Sequence, residues 1–449
     1  VNGVAAIHTD LVKRDLFPEF VEYYKSSGQA EKFVNMTNGV TQRRWVYCAN
    51  RPLAKLFTSW LGSDSWIKKF DMISGIGYHI DDKEKQEQWR LAKRSNKVVL
   101  ANWVKRQCGV ELNVDTMLFD IQVKRIHEYK RQFLNCLYCI HRYLHLKQMS
   151  PAERMHCQPR ACLIGGKAAP GYHVAKSIIK LCNSVADVVN NDPDVADYFK
   201  MVFLPNYNVS NAQIIIPASD ISQHISTAGT EASGTSNMKF VMNGGLIIGT
   251  FDGANVEICE ECGADSMFIF GAHEDRVEKI REEIRNGYNP IDGRLMEIFE
   301  YIRGGSLCRN DAEAQENFNE LIDRLILCGN GHCGDYYLLI HDFPDYCRAQ
   351  DLVDMEYRNK TQWVRRSMKA ASCMGKFSSD RTIHEYANFI WKLETAVRPD
   401  PRLQPMRGNG DLLDKLKYEE GKNDGANLLI HSSSNARGNM RHSKNYHKV

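Results

Sequence analysis

From residue 116 onward, strand-sized apolar runs alternate with segments of helical periodicity, and that alternation constrains the fold more than any other feature. Residues 116–123 (TMLFDIQV), 157–164, 198–204 and 246–250 read as buried strands. Residues 128–146 and 172–182 read as helices between them, and 220–225 as a further short helix. Such a rhythm specifies an α/β fold: a Rossmann-like, doubly wound parallel sheet with helices on both faces and ligands at the carboxyl ends of its strands. Most of the polar clusters in this chain do follow a strand candidate.

The flanking segments read differently. Residues 1–37 contain two short helices, the second including Phe17 and Tyr24, without a core of their own; with no Met at its head the chain looks like the continuation of something upstream. Residues 37–94 are mostly helical, with Trp45, Leu53, Leu56, Phe57, Trp60 and Leu61 at the spacing of a core stripe. Helices are also expected over 277–286, 293–301, 312–328, 357–371 and 382–393, the last with Ser379, Asp380 or Thr382 as N-cap and a Thr382/Glu385 capping box. Beyond Val397 the composition turns to Pro, Gly, Asn and Ser, and Arg437, Arg441, Lys444 and Lys448 stand without an acid. The expected division is 1–37 as the end of a preceding domain, 38–395 as the Rossmann-like domain, and 396–449 as a disordered, solvated tail.

Composition excludes several classes of function. Lys plus Arg (58) almost balances Asp plus Glu (55), so a net charge of +3 offers no global field for nucleic acid or an anionic membrane. Any anion site must be local. No apolar run approaches the roughly 20 residues that span a bilayer. Fourteen cysteines are scattered without the pattern of a small secreted scaffold, which points to free thiols in a reducing compartment. Cys136/Cys139 and Cys259/Cys262 have the spacing of half a zinc site, and Cys328/Cys333 form a looser pair, but no matched second half follows. Gly165-Gly166-Lys167 lacks the remainder of a Walker A loop, no dinucleotide fingerprint follows a strand, and no zinc-protease helix motif occurs.

Two clusters hold the chemistry. Residues 231–258 place a carboxylate (Glu231), a small-residue turn with free N–H groups (Ser233 to Ser236) and one amine (Lys239) ahead of an apolar strand, a set suited to a sugar, an anion and an aldehyde. Lys239 has two readings. Its apolar neighbours Met238, Phe240, Val241 and Met242 could strip its charge, as an amine attacking an aldehyde requires, or it could be an ordinary lysine snorkelling from a helix. The Gly234-Thr235-Ser236 turn is of the kind that nests a phosphate. The second cluster, Lys124-Arg125-Ile126-His127-Glu128-Tyr129-Lys130-Arg131, sets four cations where a strand turns into a helix. Cations oppose the macrodipole there, so the cost is offset either by a bound anion or by Glu128 and distant carboxylates.

These clusters, together with 165–172 (GGKAAPGY) and 37–45 (TNGVTQRRW), resemble the α-glucan (glycogen or starch) phosphorylases in order and spacing, over residues 1 to about 393. Ser236, the loop 206–210 (NYNVS) and residues 222–229 (SQHISTAG) are closer to plant or algal members than to animal ones. The resemblance implies the C-terminal half of a two-domain GT-B type retaining glycosyltransferase. In that family Lys239 holds pyridoxal 5'-phosphate as a Schiff base, Lys124, Gly234, Thr235 and Ser236 cradle its phosphate, and Trp45, Tyr207 and Val209 line its ring. Arg125 and Lys130 clamp the substrate phosphate, while Asn38, Glu231, Ala232, Ser233 and Gly234 hydrogen-bond the glucosyl unit. The implied reaction is phosphorolysis of a terminal α-1,4 bond to glucose 1-phosphate, with the cofactor phosphate as proton donor. The implied partners are a glucan and inorganic phosphate, with a homodimer at full length, in the cytoplasm or a plastid; no nucleic acid, membrane or metal is expected. Gln42 stands where many relatives have Pro, and Asn208 where animal members have Arg.

Overall fold

A computed structural model describes residues 1–308, 310–328 and 334–393. The expected tail at 396–449, including Arg437, Arg441, Lys444 and Lys448, and Cys333 lie outside the described residues.

Six strands form one parallel sheet: β1 (Leu118–Val123), β2 (Arg160–Gly165), β3 (Phe199–Leu204), β4 (Ile221–His224), β5 (Leu246–Gly249) and β6 (Met267–Ile269). Their spatial order is β3-β2-β1-β4-β5-β6, that of a doubly wound sheet, so the winding direction reverses between β1 and β4. Every residue of β1, β2, β4 and β5 is buried, as a parallel sheet covered on both faces requires.

Helices α1 (Lys83–Cys108), α2 (Gln132–Gln148), α3 (His173–Asn191), α4 (Val209–Ala218), α5 (Ser236–Met242), α6 (Ala254–Cys262), α7 (Leu339–Arg358) and α8 (Lys360–Ser372) pack around the sheet. Helix α2 packs against α3 and α7, while α1 packs against α4 and α8, with α5 against α8 and β5. Helix α1 starts where Asp82 accepts from the N–H groups of Glu84 and Lys85, and ends at Gly109 with φ of 72°. The stripe expected in 45–61 is core at Trp45, Leu53 and Phe57, all buried.

The sequence reading needs correction at several elements. Residues 220–225 are not a helix: 221–224 are the central strand β4. The run Ser222-Gln223-His224 is too polar to read as a buried strand, yet each side chain has a partner. Ser222 Oγ donates to Leu246 O (3.2 Å), Gln223 Nε2 to Asp120 (2.9 Å), and His224 meets Lys124. The helix expected over 128–146 is broken, because Arg131 takes a left-handed conformation (φ 55°) between a 3-10 turn, Glu128–Lys130, and α2. Of the 231–239 stretch, the last four residues, Lys239 among them, are helical. Strand β6 and helix α7 were not expected. Helix α7 contains Pro344, and its first N–H groups are capped from outside by Asp335, which accepts from Leu339, Ile340 and His341 at 2.5, 2.9 and 3.2 Å. The last helix starts at Ser379, capped by Ser378 and not by a Thr382/Glu385 box; Glu385 instead pairs with Arg381.

Residues 1–37 pack on α6, where Glu257 accepts from Ala6 N (3.1 Å) and Thr37 Oγ1 (2.6 Å). The thirteen cysteines among the described residues are all free thiols, and no group of three metal-ligating side chains occurs among those residues. No described helix is long and apolar enough to cross a membrane.

Candidate functional site

Ligands of doubly wound sheets bind beyond the carboxyl ends of the strands where the order reverses. Here that point lies between β1 and β4, and the first residue after β1 is Lys124. Its Nζ sits 3.4 Å from Nδ1 of His224, the last residue of β4. Burial, reinforced by Lys130, lowers the Lys124 amine to about 8, while burial and the two lysines hold His224 well below its ordinary value. His224 is therefore a neutral imidazole that can accept from the ammonium, with Nε2 3.0 Å from Ser222 Oγ. Gly166 is required at this junction, since a Cβ there would lie 1.9 Å from Lys124 O.

The four cations fare differently. Arg125 is exposed and makes no ion pair among the described residues. Lys130 pairs with Glu231 across the crevice, its Nζ 4.5 Å from the Tyr129 ring centroid. Arg131 is wholly buried and bound to Asp342 at 2.6 Å, so it is unavailable to a ligand. The compensation offered by the protein comes from Glu231 and Asp342; Glu128 instead accepts from the Tyr172 hydroxyl at 2.6 Å.

Glu231 opens the turn into α5. Its N–H donates to Asp252 (2.9 Å), and Ser233 O accepts from Ala254 N (2.7 Å), which stitches the turn to the start of α6. Gly253 (φ 52°) permits that approach, because a Cβ would come within 2.6 Å of Ser233 O. Gly234 is left-handed (φ 72°), and Thr235, the N-cap of α5, makes no side-chain cap. Within the first turn of α5, Met238 N donates to Asn237 Oδ1 at 2.9 Å, which leaves the N–H groups of Ser236 and Asn237 without a side-chain cap. Ala232 is exposed and Ser233 buried.

One turn into α5, the Lys239 amine lies 4.1 Å from the centroid of the Trp45 ring, and no carboxylate among the described residues pairs with it. Burial lowers its pKa. Asn243 fixes this geometry from below: its Nδ2 donates both to Lys239 O and to Trp45 O, each at 2.8 Å. Asn50 Nδ2 in turn donates to Asn243 Oδ1 at 2.9 Å, anchoring the amide.

The remaining candidates are at the margins. Tyr207 is half-buried, its phenol pushed up to about 12 by burial, and it precedes α4, which packs on α5. Val209 opens α4 and is 55% exposed. Asn38 is held by its backbone, its N–H donating to Val4 O (3.0 Å) and its carbonyl accepting from Arg381 (3.3 Å).

Lys124, Lys130 and Glu231 are thereby brought together with His224 and Asp252, neither of which the sequence had singled out. A carboxylate just past strand β5, after Thr250 and Phe251, was the available signal for Asp252. The donor set fits a phosphate-bearing aldehyde: a desolvated amine without an acid partner, an uncapped helix start behind a left-handed glycine, and a lone lysine at the switch point. Beside it, Lys130 and Glu231 offer a second anion a cation and a sugar an acceptor.

A family model described as carbohydrate phosphorylase matches residues 1–393. Glycogen phosphorylase 2 of Dictyostelium discoideum is 50% identical over 401 residues, covering 89% of this chain and 38% of that protein. The H isozyme of alpha-glucan phosphorylase from Solanum tuberosum is 48% identical over 393 residues, 88% of this chain and 46% of its own. The cytosolic alpha-glucan phosphorylase 2 of Arabidopsis thaliana is 46% identical over 399 residues, 89% and 46% respectively. The chain therefore spans less than half the length of these relatives. With a match across nearly all its described residues and a switch-point site of this composition, the chain belongs to the carbohydrate phosphorylase family.

Proposed function

We propose that this chain is the cofactor-bearing C-terminal half of an α-glucan phosphorylase of the two-domain GT-B type, with residues 1–37 completing the domain that precedes it. The observation that most supports this reading is the Lys239 amine, desolvated over Trp45 without an acid partner, beside the Lys130–Glu231 pair. Pyridoxal 5'-phosphate, when bound, supplies a phosphate that donates a proton to the substrate phosphate. Lys239 holds that cofactor, Trp45, Tyr207 and Val209 line its ring, and Lys124 with the N–H groups of Gly234, Thr235 and Ser236 balances its charge.

Arg125 and Lys130 bind the substrate phosphate. Glu231 orients the terminal glucosyl unit with Asn38, Ala232, Ser233 and Gly234. Two phosphates side by side need surplus cations, and this edge of the sheet supplies them with few opposing acids. Held close to the anomeric carbon, the substrate phosphate passes a proton to the glycosidic oxygen, so that the shortened glucan leaves with a free hydroxyl; it stabilises the oxocarbenium-like centre and bonds to it with retention, giving glucose 1-phosphate. The partners in this reading are a glycogen- or starch-like glucan and inorganic phosphate, the full-length protein is a homodimer, and its compartment is the cytosol or a plastid.

The test is an assay of the full-length protein with glucan and inorganic phosphate. Release of glucose 1-phosphate that Lys239→Ala abolishes supports the reading. Polysaccharide binding without phosphorolysis overturns it in favour of a glucan- or anion-binding module.

A further inference from the structure

The loop from Ile225 to Glu231 joins β4 to the turn before α5, and it is gripped from two sides by buried charges of opposite sign. On one side Arg131, with no exposed surface, donates from Nε to Ile225 O (2.6 Å) and from Nη2 to Ser226 O (3.4 Å). Its Nη1 is tied to Asp342 (2.6 Å) and to the carbonyls of Tyr337 (3.3 Å) and Leu338 (3.2 Å). On the other side Asp252, 2% exposed, accepts from Ser226 Oγ and Gly229 N (both 3.0 Å) and from Glu231 N and Gly253 N (both 2.9 Å).

One grip adjoins the Lys130–Glu231 contact along the chain and the other through a hydrogen bond. Arg131 follows Lys130 in the chain, and Asp252 binds the N–H of Glu231 itself. Thr227 N, in the middle of the loop, also donates to Tyr129 O at 3.0 Å. Thus the segment bearing the cation and the segment bearing the carboxylate are each fixed by a group that a ligand in the crevice does not touch.

We propose that Arg131 and Asp252 are positioning residues that act as a pair, clamping loop 225–231 so that Lys130 and Glu231 are held side by side, one to meet a phosphate and the other a glucosyl unit. The inference rests on the phosphorylase reading for what the spacing serves, not for the clamp itself. Burial pushes the Asp252 carboxyl up to about 6 although four donors face it. An ionised carboxylate here works against its own desolvation, which suits a residue kept for loop geometry rather than for packing. An amide cannot replace it. Oδ1 serves Gly229 and Gly253 while Oδ2 serves Ser226 and Glu231, and an asparagine has only one acceptor oxygen.

Hydrogen exchange read by mass spectrometry on the full-length protein and its variants Asp252→Asn and Arg131→Lys tests the clamp without any turnover. The expected result is exchange of the amides between 226 and 231 accelerated about tenfold or more, with β1, β2 and β3 unchanged. Tyr143→Phe, which removes a hydrogen bond to Asp192 away from the site, leaves the loop at the wild-type rate. In the glucose 1-phosphate assay the two clamp variants lose kcat at least tenfold, and Asp252→Glu, which keeps both oxygens, recovers part of it. Unchanged exchange in the loop overturns the proposal, as does acceleration spread evenly over the sheet, since that is loss of stability alone. If Asp252→Asn does not fold, Arg131→Lys reads the same clamp from the other side. A wild-type protein that releases no glucose 1-phosphate sinks the functional reading, while the exchange result still decides the clamp.

Discussion

Lys97 and Lys239 are both amines set against an aromatic ring in the interior of this fold, 4.3 Å from the Phe119 centroid and 4.1 Å from the Trp45 centroid. Everything else about them differs. Lys97 donates to Asp220 and Met117 O, both at 2.7 Å, and to the Tyr357 hydroxyl at 3.3 Å. Lys239 has no such set, and burial lowers its pKa. A carboxylate keeps a buried ammonium charged and structural, whereas a ring alone is too weak a partner to offset desolvation. Lys93 lies between the two, hydrogen-bonded to the carbonyls of Pro217, Ser219 and Asn243 and lowered to about 8. Of these three, Lys239 is the one with neither an acid nor a carbonyl among the described residues to hold it, and so the one free for chemistry.

The contrast breaks most visibly at the two lysines themselves. Lys239→Ala is expected to cost roughly 10^3-fold or more in glucose 1-phosphate release while leaving the urea midpoint almost unmoved. Lys97→Ala is expected to do the reverse, losing about 3–5 kcal/mol of stability because Asp220 is left buried and unpaired. Equal stability losses in the two variants contradict the comparison. Next in size, Glu231→Gln, which on the proposed function removes a charged acceptor from the sugar and frees Lys130, is expected to lower kcat/KM for glucan by about 10- to 100-fold.

A smaller effect comes from Lys124. Its amine titrates near 8, so cationic charge is present below that pH and lost above it. Sulfate, whose own charge is constant over this range, should bind several-fold more weakly at pH 9 than at pH 7, and Lys124→Met should flatten that dependence. A slope unchanged in the variant assigns the effect to another group. The smallest is Val209→Ala, at an exposed helix start, which should shift stability by no more than about 0.5 kcal/mol and activity by less than twofold.

Four of the six strands were legible because continuous apolar runs of strand length leave little alternative in an alternating chain. Strand β4 was not, because burying Ser222, Gln223 and His224 depends on partners far along the chain, Leu246, Asp120 and Lys124. Helix α7 was hidden by Pro344 and by a cap, Asp335, that lies before the helix. At the site, residue types suited to phosphate, sugar and aldehyde could be read from 124–131 and 231–239, and a family likeness gave them roles. What could not be read was which cations face the crevice: Arg131 looks equivalent to Lys130 in sequence, and only the fold buries it against Asp342 while Lys130 meets Glu231. Asp252 offered only its place just past β5, since three of its four donors come from loop 225–231 and only Gly253 adjoins it.

The central claim, that Lys239 is the amine kept free to hold the cofactor, is tested most directly by borohydride treatment of the native full-length protein followed by peptide mass spectrometry. The account predicts a pyridoxyl group on the peptide containing Lys239. An unmodified Lys239, or the same group on Lys93, Lys124 or Lys130 instead, would contradict it.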